Sequence, residues 1–580
     1  MASPNPADET ERTPLIAHPN RRDSDINSAA FDFNISTRIT SNDLSRVRRS
    51  SAISKTVVDE ESTLDDSLAA STSTLTPPVA IGHVVSVLLI GSFISNADAS
   101  LLFATHPVIA SEFDALHDSS WLMTSFALAQ AASQPLYGKL SDIYGRKTML
   151  LLAYALFAAG CALVGVGTSM PMLIFGRVIS GAGSSGMTAL VSILITDLVP
   201  LRDVATWRSY VNVVATTGRS IGGPLGGWLA DVVGWRWSFI GQVPLAGLAI
   251  VLVAITLPSR SHEDLQETSV KSRLARIDFV GALFLSLSIL GLLVPLEIGG
   301  DRVPWSSPTI ILLFIAAAVC VLLFLAAEAW IAKEPIIPLV LLRQRGVIVP
   351  SFVTFFQTAA QVGLMFAIPL YFQVTAGASN TVAGAHLVPA VVGNAVGGIL
   401  SGIIINKTGR YKALILVATI ASSSSYLLLI LRWHGNTNWA ESLYIFPGGF
   451  GTGIVQSALF ISLQAAIDPA YTAIAASTLY LTSSVGMLSG MAGVSAVLQG
   501  TLRKGLAQRL DKLGFSDQVK REIIGKAVSD VHYLDKATPV IANAVAGSYI
   551  NALTWTHVLS LSFSMTAFFG SIFLEQYKLE

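Results

Sequence analysis

Charge is scarce in this chain. Of 580 residues only 13% are Asp, Glu, Lys or Arg, while 52% are apolar. So few charges exclude the water-facing surface of a soluble protein and indicate a polytopic membrane protein. Basic and acidic residues balance at 37 each, so no net charge favours a polyanionic partner. Nor does any basic stretch with interleaved aromatics argue for nucleic-acid binding. Cysteine is nearly absent, and Cys161 and Cys320 both fall inside apolar runs. That excludes a disulfide framework or a cysteine zinc site and leaves the thiols as packing groups, with no metal or other cofactor expected. No Gly-x-x-x-x-Gly-Lys-Ser/Thr loop is present, so ATP is not the direct energy source. The N-terminal segment has no apolar core and is not expected to be a cleavable signal.

What the chain has instead is long apolar runs. Fourteen are near the twenty residues that span a hydrocarbon core of about 30 Å. They lie at 80–104, 119–137, 148–168, 171–195, 208–230, 237–257, 278–298, 308–330, 348–373, 381–405, 412–432, 442–466, 471–498 and 553–574. Residues 1–78, rich in Ser, Thr, Asp and Arg, are expected to form a disordered tail. Residues 499–552, mixed in charge, read as one long outer loop. In it Leu506, Leu510 and Leu513 have helical spacing and Gly514 is a helix stop, so an amphipathic helix pair packed against the mouth of the bundle is expected. Short loops on the tail's side carry Lys139, Arg146, Lys147, Arg202, Arg208, Lys407, Arg410 and Lys412, among others, against only Arg236, Arg302 and Arg432 on the other. The excess of basic residues places both termini in the cytosol and the 499–552 loop outside it.

Between the second and third runs stands a short charged turn, Gly138-Lys139-Leu140-Ser141-Asp142-Ile143-Tyr144-Gly145-Arg146-Lys147. Its glycines permit a tight return, Asp142 can accept from donors on a neighbouring helix end, and Arg146 and Lys147 mark the cytosolic side. As a bare pattern it is a basic turn between two membrane helices. A weaker copy follows 264 residues later: Gly138, Asp142, Gly145 and Arg146 map onto Gly402, Asn406, Gly409 and Arg410. The same offset carries Gly222 and Gly226 onto Gly486 and Gly490. One offset serving two separate motifs implies two six-helix halves, 79–257 and 346–580, with two inserted spans within 258–345.

Charged residues inside the runs are the candidates for chemistry. A carboxylate in hydrocarbon is expensive, so Asp98 is expected to face a cavity and to bind a proton or a cationic substrate; the alternative is a cap on a broken helix. Arg177 keeps its charge, must pair or touch water, and is expected to pair with Asp98. In the fifth run Gly218, Gly222, Gly223, Gly226 and Gly227 allow close packing and Pro224 a kink. Arg219 among them could bind a substrate carboxylate or pair with an acid. Gln357, Gln361, Tyr371, Asn394 and Gln456, polar residues in apolar spans, could contact substrate or serve as interhelical hydrogen-bond partners.

Several of these segments resemble motifs of the major facilitator superfamily. The Gly138–Lys147 turn is similar to its loop signature, Gly-x-Leu-x-Asp-x-x-Gly-Arg-Lys, and Arg177-x-x-x-Gly181-x-Gly183 to its buried-arginine motif. Asn96 to Pro107 resembles the first-helix signature of fourteen-helix drug:proton antiporters at Asp98 and Pro107, and departs from it at Phe103, Thr105 and His106. Gly218 to Gly227 resembles the antiporter motif Gly-x-x-x-Gly-Pro-x-x-Gly-Gly, with the proline one place late against the final glycine pair. These departures, and Trp235-Arg236-Trp237-Ser238-Phe239, look most like fungal vacuolar basic amino-acid permeases. The resemblance implies an all-α polytopic fold of fourteen transmembrane helices and a transporter, not an enzyme. It further implies exchange of luminal protons for cytosolic lysine, arginine or histidine. A plasma-membrane multidrug or toxin exporter and a transporter-like nutrient sensor are the alternatives.

In the tail, Glu11-Arg12-Thr13-Pro14-Leu15-Ile16 resembles the acidic dileucine address that sorting adaptors read on proteins bound for vacuoles or lysosomes. An adaptor pocket needs both apolar side chains. Leu15→Ala combined with Ile16→Ala is therefore expected to divert the fluorescently tagged protein from the vacuolar membrane, and unchanged vacuolar fluorescence contradicts the address.

Overall fold

The computed structural model describes residues 78–113, 121–257, 277–299, 303–332, 334–529 and 533–579. The tail residues Glu11, Leu15 and Ile16 lie outside the described residues. The chain divides into two units, 1–75 and 76–580, and the fold is that of the second.

Apart from one isolated bridge, the described residues are helical wherever structure is regular. The first half contains α1 (Pro78–Glu112), α2 (Trp121–Tyr144), α3 (Arg146–Val166), α4 (Met170–Leu198), α5 (Leu201–Val232), α6 (Trp235–Ile240) and α7 (Gln242–Thr256). After it come α8 (Phe279–Ile298) and α9 (Pro308–Trp330). The second half contains α10 (Arg345–Ala376), α11 (Asn380–Ala385), α12 (Val388–Thr408), α13 (Lys412–Arg432), α14 (Phe446–Gln464), α15 (Thr472–Lys512), α16 (Asp517–Ser529) and α17 (Pro539–Ile572).

Among the described residues eleven helices are long and apolar enough to cross a membrane. The other three expected spans fall on α2, α5 and α17, of 24, 32 and 34 residues, whose length suffices but whose hydropathy is diluted. In α2 the diluting residues include Gln130, Gln134 and Lys139, and in α5 they include Arg208, Asn212 and Arg219.

The two halves pack alike. α1 lies against α5 as α10 lies against α15, and α2 and α3 lie against α4 as α12 and α13 lie against α14. Glycine makes this possible. A Cβ on Gly222 would stand 2.4 Å from the Ala97 carbonyl oxygen of α1, and one on Gly486 would stand 2.6 Å from the Phe355 carbonyl oxygen of α10. Backbones this close exclude any side chain at those positions. α8 and α9 pair with each other and α8 touches α2 and α15, leaving Leu312, Ile315 and Leu322 exposed on α9.

Residues 499–552 are largely helical, as their leucine spacing leads one to expect, and their outer parts continue the flanking spans. α15 runs unbroken for 41 residues, about 60 Å at the helical rise and twice the hydrocarbon thickness. Gly514, with φ 74, turns the chain beyond its end. Leu498, Leu502, Leu506 and Leu510 recur every four residues along one buried stripe, packed with Ile523 and Ala527 of α16 and Val545 and Tyr549 of α17. Leu513, expected to share that stripe, is exposed. The apolar spans end where the surface turns polar, yet the helices continue because their buried stripe does.

The two signature turns close one face of the bundle. Gly145 and Gly409, one repeat apart, take φ 87 and 66, a backbone region that disfavours side chains. Arg146 donates to Asp142 at 2.6 Å and to Asp197 of α4 at 2.9 Å, and Lys147 donates to the carbonyls of Ala254 and Leu257 at the end of α7. Gly138 abuts Ala473 and Ser477 of α15, and Gly402 abuts Ala205 and Ser209 of α5. Asn406 donates to Asp203, Ser209 to the Gly398 carbonyl, and Ser484 to Gln134. These bonds join the halves between the turn-bearing face and the middle of the helices.

The Asp142–Arg146 pair is partly exposed, and such pairs contribute about 0–1 kcal/mol. If the turn holds α2 against its neighbours in one state, Asp142→Asn is expected to leave abundance and membrane insertion unchanged while slowing transport several-fold. Wild-type transport at wild-type abundance shows that the turn is a basic return and nothing more.

Candidate functional site

Asp98 of α1 and Arg177 of α4 meet in the interior of the first half. They lie 2.7 Å apart with side chains 0% and 1% exposed. Arg177 also donates to the Leu122 carbonyl of α2 at 3.1 Å, and its guanidinium carbon sits 4.3 Å from the Phe126 ring centre. The second Asp98 oxygen accepts from Gln242, at 3.0 Å, at the first position of α7. Gln242 is held in turn by donating to the Ser238 carbonyl of α6. Five helices thus converge on one pair of charges.

Burying such a pair costs several kcal/mol per ion, which only close geometry and satisfied hydrogen bonds return; removing one partner costs about 3–5 kcal/mol. Both carboxylate oxygens are occupied here. Asp98 is accordingly sealed among side chains rather than facing open space, so the expected cavity exposure is corrected in this conformation: Arg177 and Gln242 supply what water would have supplied.

The second half repeats the glycines around this site without its charge. Gly181 and Gly183 press on the backbones of Phe126 and Phe157 as Gly449 and Gly451 press on those of Ala390 and Ala418. At the same spacing Arg177 maps onto Ile445, which is fully buried. The charged site is a feature of one half.

A constricted cavity, wide enough for about one water, lies at the junction of the halves, lined by Thr216, Gln361, Met365, Asn394 and Tyr426. Asn394 accepts from Asn212 at 2.8 Å and from Thr216 at 3.1 Å, tying α12 to α5. Gln361 lines the cavity, whereas Gln357 is buried one turn away and donates to Ser422. Tyr371 lies near the opposite face, stacked on Trp433 and bonded to Thr437 and Gly435. Gln456 is half-buried on α14, two turns from the lining residue Gly449. Gly218, Gly222 and Gly226 press on α1, the amide of Gly223 donates to Ser100, and Pro224 is exposed. Gly227 is half-buried beside them. Arg219, also on α5, makes no ion pair among the described residues, and its Nε has no hydrogen-bond partner.

Gln242 and the Asn212–Thr216 pair escaped the sequence reading. The signal that selected Gln357 and Asn394, a polar residue inside an apolar run, also marks Gln130, Gln134 and Gln242. The Trp235-Arg236 segment gains a structural role: Trp235 and Arg236 both donate to Glu112, at 2.6 and 2.7 Å, clasping the end of α1.

Residues 88–491 match the Major Facilitator Superfamily. The vacuolar membrane amino acid uptake transporter fnx2 of Schizosaccharomyces pombe is 32% identical over 88% of this chain and 87% of its own. The multidrug resistance protein fnx1 of the same yeast is 31% identical over 86% and 93%. Vacuolar basic amino acid transporter 2 of Saccharomyces cerevisiae is 28% identical over 77% and 96%. Among solved structures the human organic anion transporter MFSD10 shares the fold at a TM-score of 0.52 and 16% identity, over 83% of this chain and 99% of that one. A helical bundle of two like halves, a match over most of its length and relatives of this extent together make the chain a member of the Major Facilitator Superfamily.

Proposed function

We propose that the protein is a proton-coupled antiporter that moves basic amino acids from the cytosol into the vacuole. All fourteen expected spans would cross the membrane, with both termini and the Gly138–Lys147 turn in the cytosol. Support for the substrate comes from the similarity to the S. pombe and S. cerevisiae vacuolar transporters. Support for proton coupling comes from one observation, the sealed cluster of Asp98, Arg177 and Gln242.

Protonation removes the charge that Arg177 neutralises and leaves a guanidinium that cannot shed its own. An unpaired buried cation is costly, so α4 would have to shift against α1 and α7 until Arg177 reaches water or another acceptor. Proton binding thereby biases the alternation between states without nucleotide. Since Gln242 and Arg177 fill both carboxylate oxygens, a proton enters this cluster in a way that a bulky substrate cannot. Asp98 is thus assigned to the proton and the cavity at Thr216, Gln361 and Asn394 to the substrate. The bonds from Asn406 to Asp203 and from Ser484 to Gln134 would break when the cytosolic side opens.

Isolated vacuoles holding the wild type are expected to accumulate labelled lysine, and a protonophore to abolish the accumulation. Asp98→Asn should reach the vacuolar membrane yet lose proton-driven accumulation. Wild-type accumulation by that variant contradicts the assignment. Failure of the wild type to move lysine, arginine or histidine, together with drug export at the plasma membrane, favours the multidrug reading suggested by fnx1.

A further inference from the structure

Arg219 is half-buried on α5 and has no counter-ion among the described residues. Along α5 between Thr217 and Trp228 the exposed positions are Thr217, Ser220, Ile221, Pro224, Leu225 and Trp228. At about 100° per residue, Arg219 sits about 200° around the helix from Thr217, on the side turned to the interior. There Gly218, Gly222 and Gly226 touch α1, and Thr216, three residues before Arg219, lines the cavity between the halves.

Other embedded arginines have partners for their terminal nitrogens. Arg177 has Asp98, the Leu122 carbonyl and the Phe126 ring; Arg208, whose Nε is also unpartnered, still donates through its terminal nitrogen to Ser192 and Tyr480 and lies over the Phe460 ring at 3.7 Å. Arg219 has no ion pair among the described residues, and its enclosed Nε finds no acceptor. Asp98 cannot serve it, because both its oxygens are taken.

A guanidinium keeps its charge under all physiological conditions, and an unpaired one within a membrane span is costly to hold. Its planar fork matches a carboxylate with two parallel hydrogen bonds. We infer that Arg219 is the anion site of the transport pathway and binds the α-carboxylate of the substrate at the junction of α5 with the central cavity. Thr216, one turn before Arg219, lines the central cavity, and Gln361 and Tyr426 line it where the cationic end would lie. The substrate class is therefore compounds with a free carboxylate, amino acids rather than amines. This rests on the amino-acid reading above and adds to it the group that is recognised.

Two assays on purified full-length protein test it. Binding of lysine is compared with that of cadaverine, which keeps the amines and lacks the carboxylate. Wild type should prefer lysine; Arg219→Gln should weaken lysine binding about 30-fold or more and erase the preference, and Arg219→Lys should restore part of both. Unchanged lysine binding, or equal loss for both ligands, overturns the inference. Separately, acetate should raise the melting temperature of wild type but not of Arg219→Gln. If wild type binds neither lysine nor cadaverine, the amino-acid reading fails while the acetate difference still sustains the anion site; absence of that difference overturns it.

Discussion

An ion pair with no water around it has to be completed by the protein itself. Asp98 and Arg177 sit in that situation, and the first half is arranged around them: α2 lends a carbonyl and the Phe126 ring, α7 lends Gln242, and the break at Gly241 places Gln242 at the start of a helix. Of these contacts, the ion pair itself is the one that needs both charges. On the proposed function, a single proton on the carboxylate would change the balance of a whole layer of helices, which is how a small ion could move a large body.

The second half shows what the same backbone does without the charge. Its glycines at 449, 451 and 453 repeat the close crossings of α4, and Ile445 fills the place of Arg177. A bundle half can therefore pack on glycine and apolar side chains alone, so the charged pair is not needed for the fold. This asymmetry is the main reason to assign it a task in transport. The halves themselves meet through small and polar residues, Ser209 on Gly398 and Asn212 and Thr216 on Asn394, contacts that are modest individually and can be exchanged for water as the halves part.

Much of this was legible in the sequence because hydrocarbon punishes charge and open backbone. Long apolar runs located the helices, the 264-residue offset located the halves, and the cost of burying Asp98 and Arg177 pointed to their meeting. Hydropathy failed where helices outlast the membrane. α15 and α17 continue past their apolar spans on a leucine stripe, and α2, α5 and α17 are diluted by residues that face other helices rather than lipid. Partnerships across the chain were also invisible: nothing local to Gln242 says that it completes Asp98, and nothing local to Arg219 says that it lacks an acid. Depth hid the last point, since an aspartate in a span was expected to reach a cavity, whereas enough donors nearby make a cavity unnecessary.

The central claim is that the Asp98–Arg177 pair ties proton movement to substrate movement without being required for substrate passage. Proteoliposomes loaded with a pH-sensitive dye and unlabelled lysine test it directly, by recording proton flux and labelled-lysine counterflow in the same vesicles. The account predicts both signals for wild type, and for Asp98→Asn counterflow without proton flux. Proton flux that persists at the wild-type ratio to lysine in Asp98→Asn contradicts it.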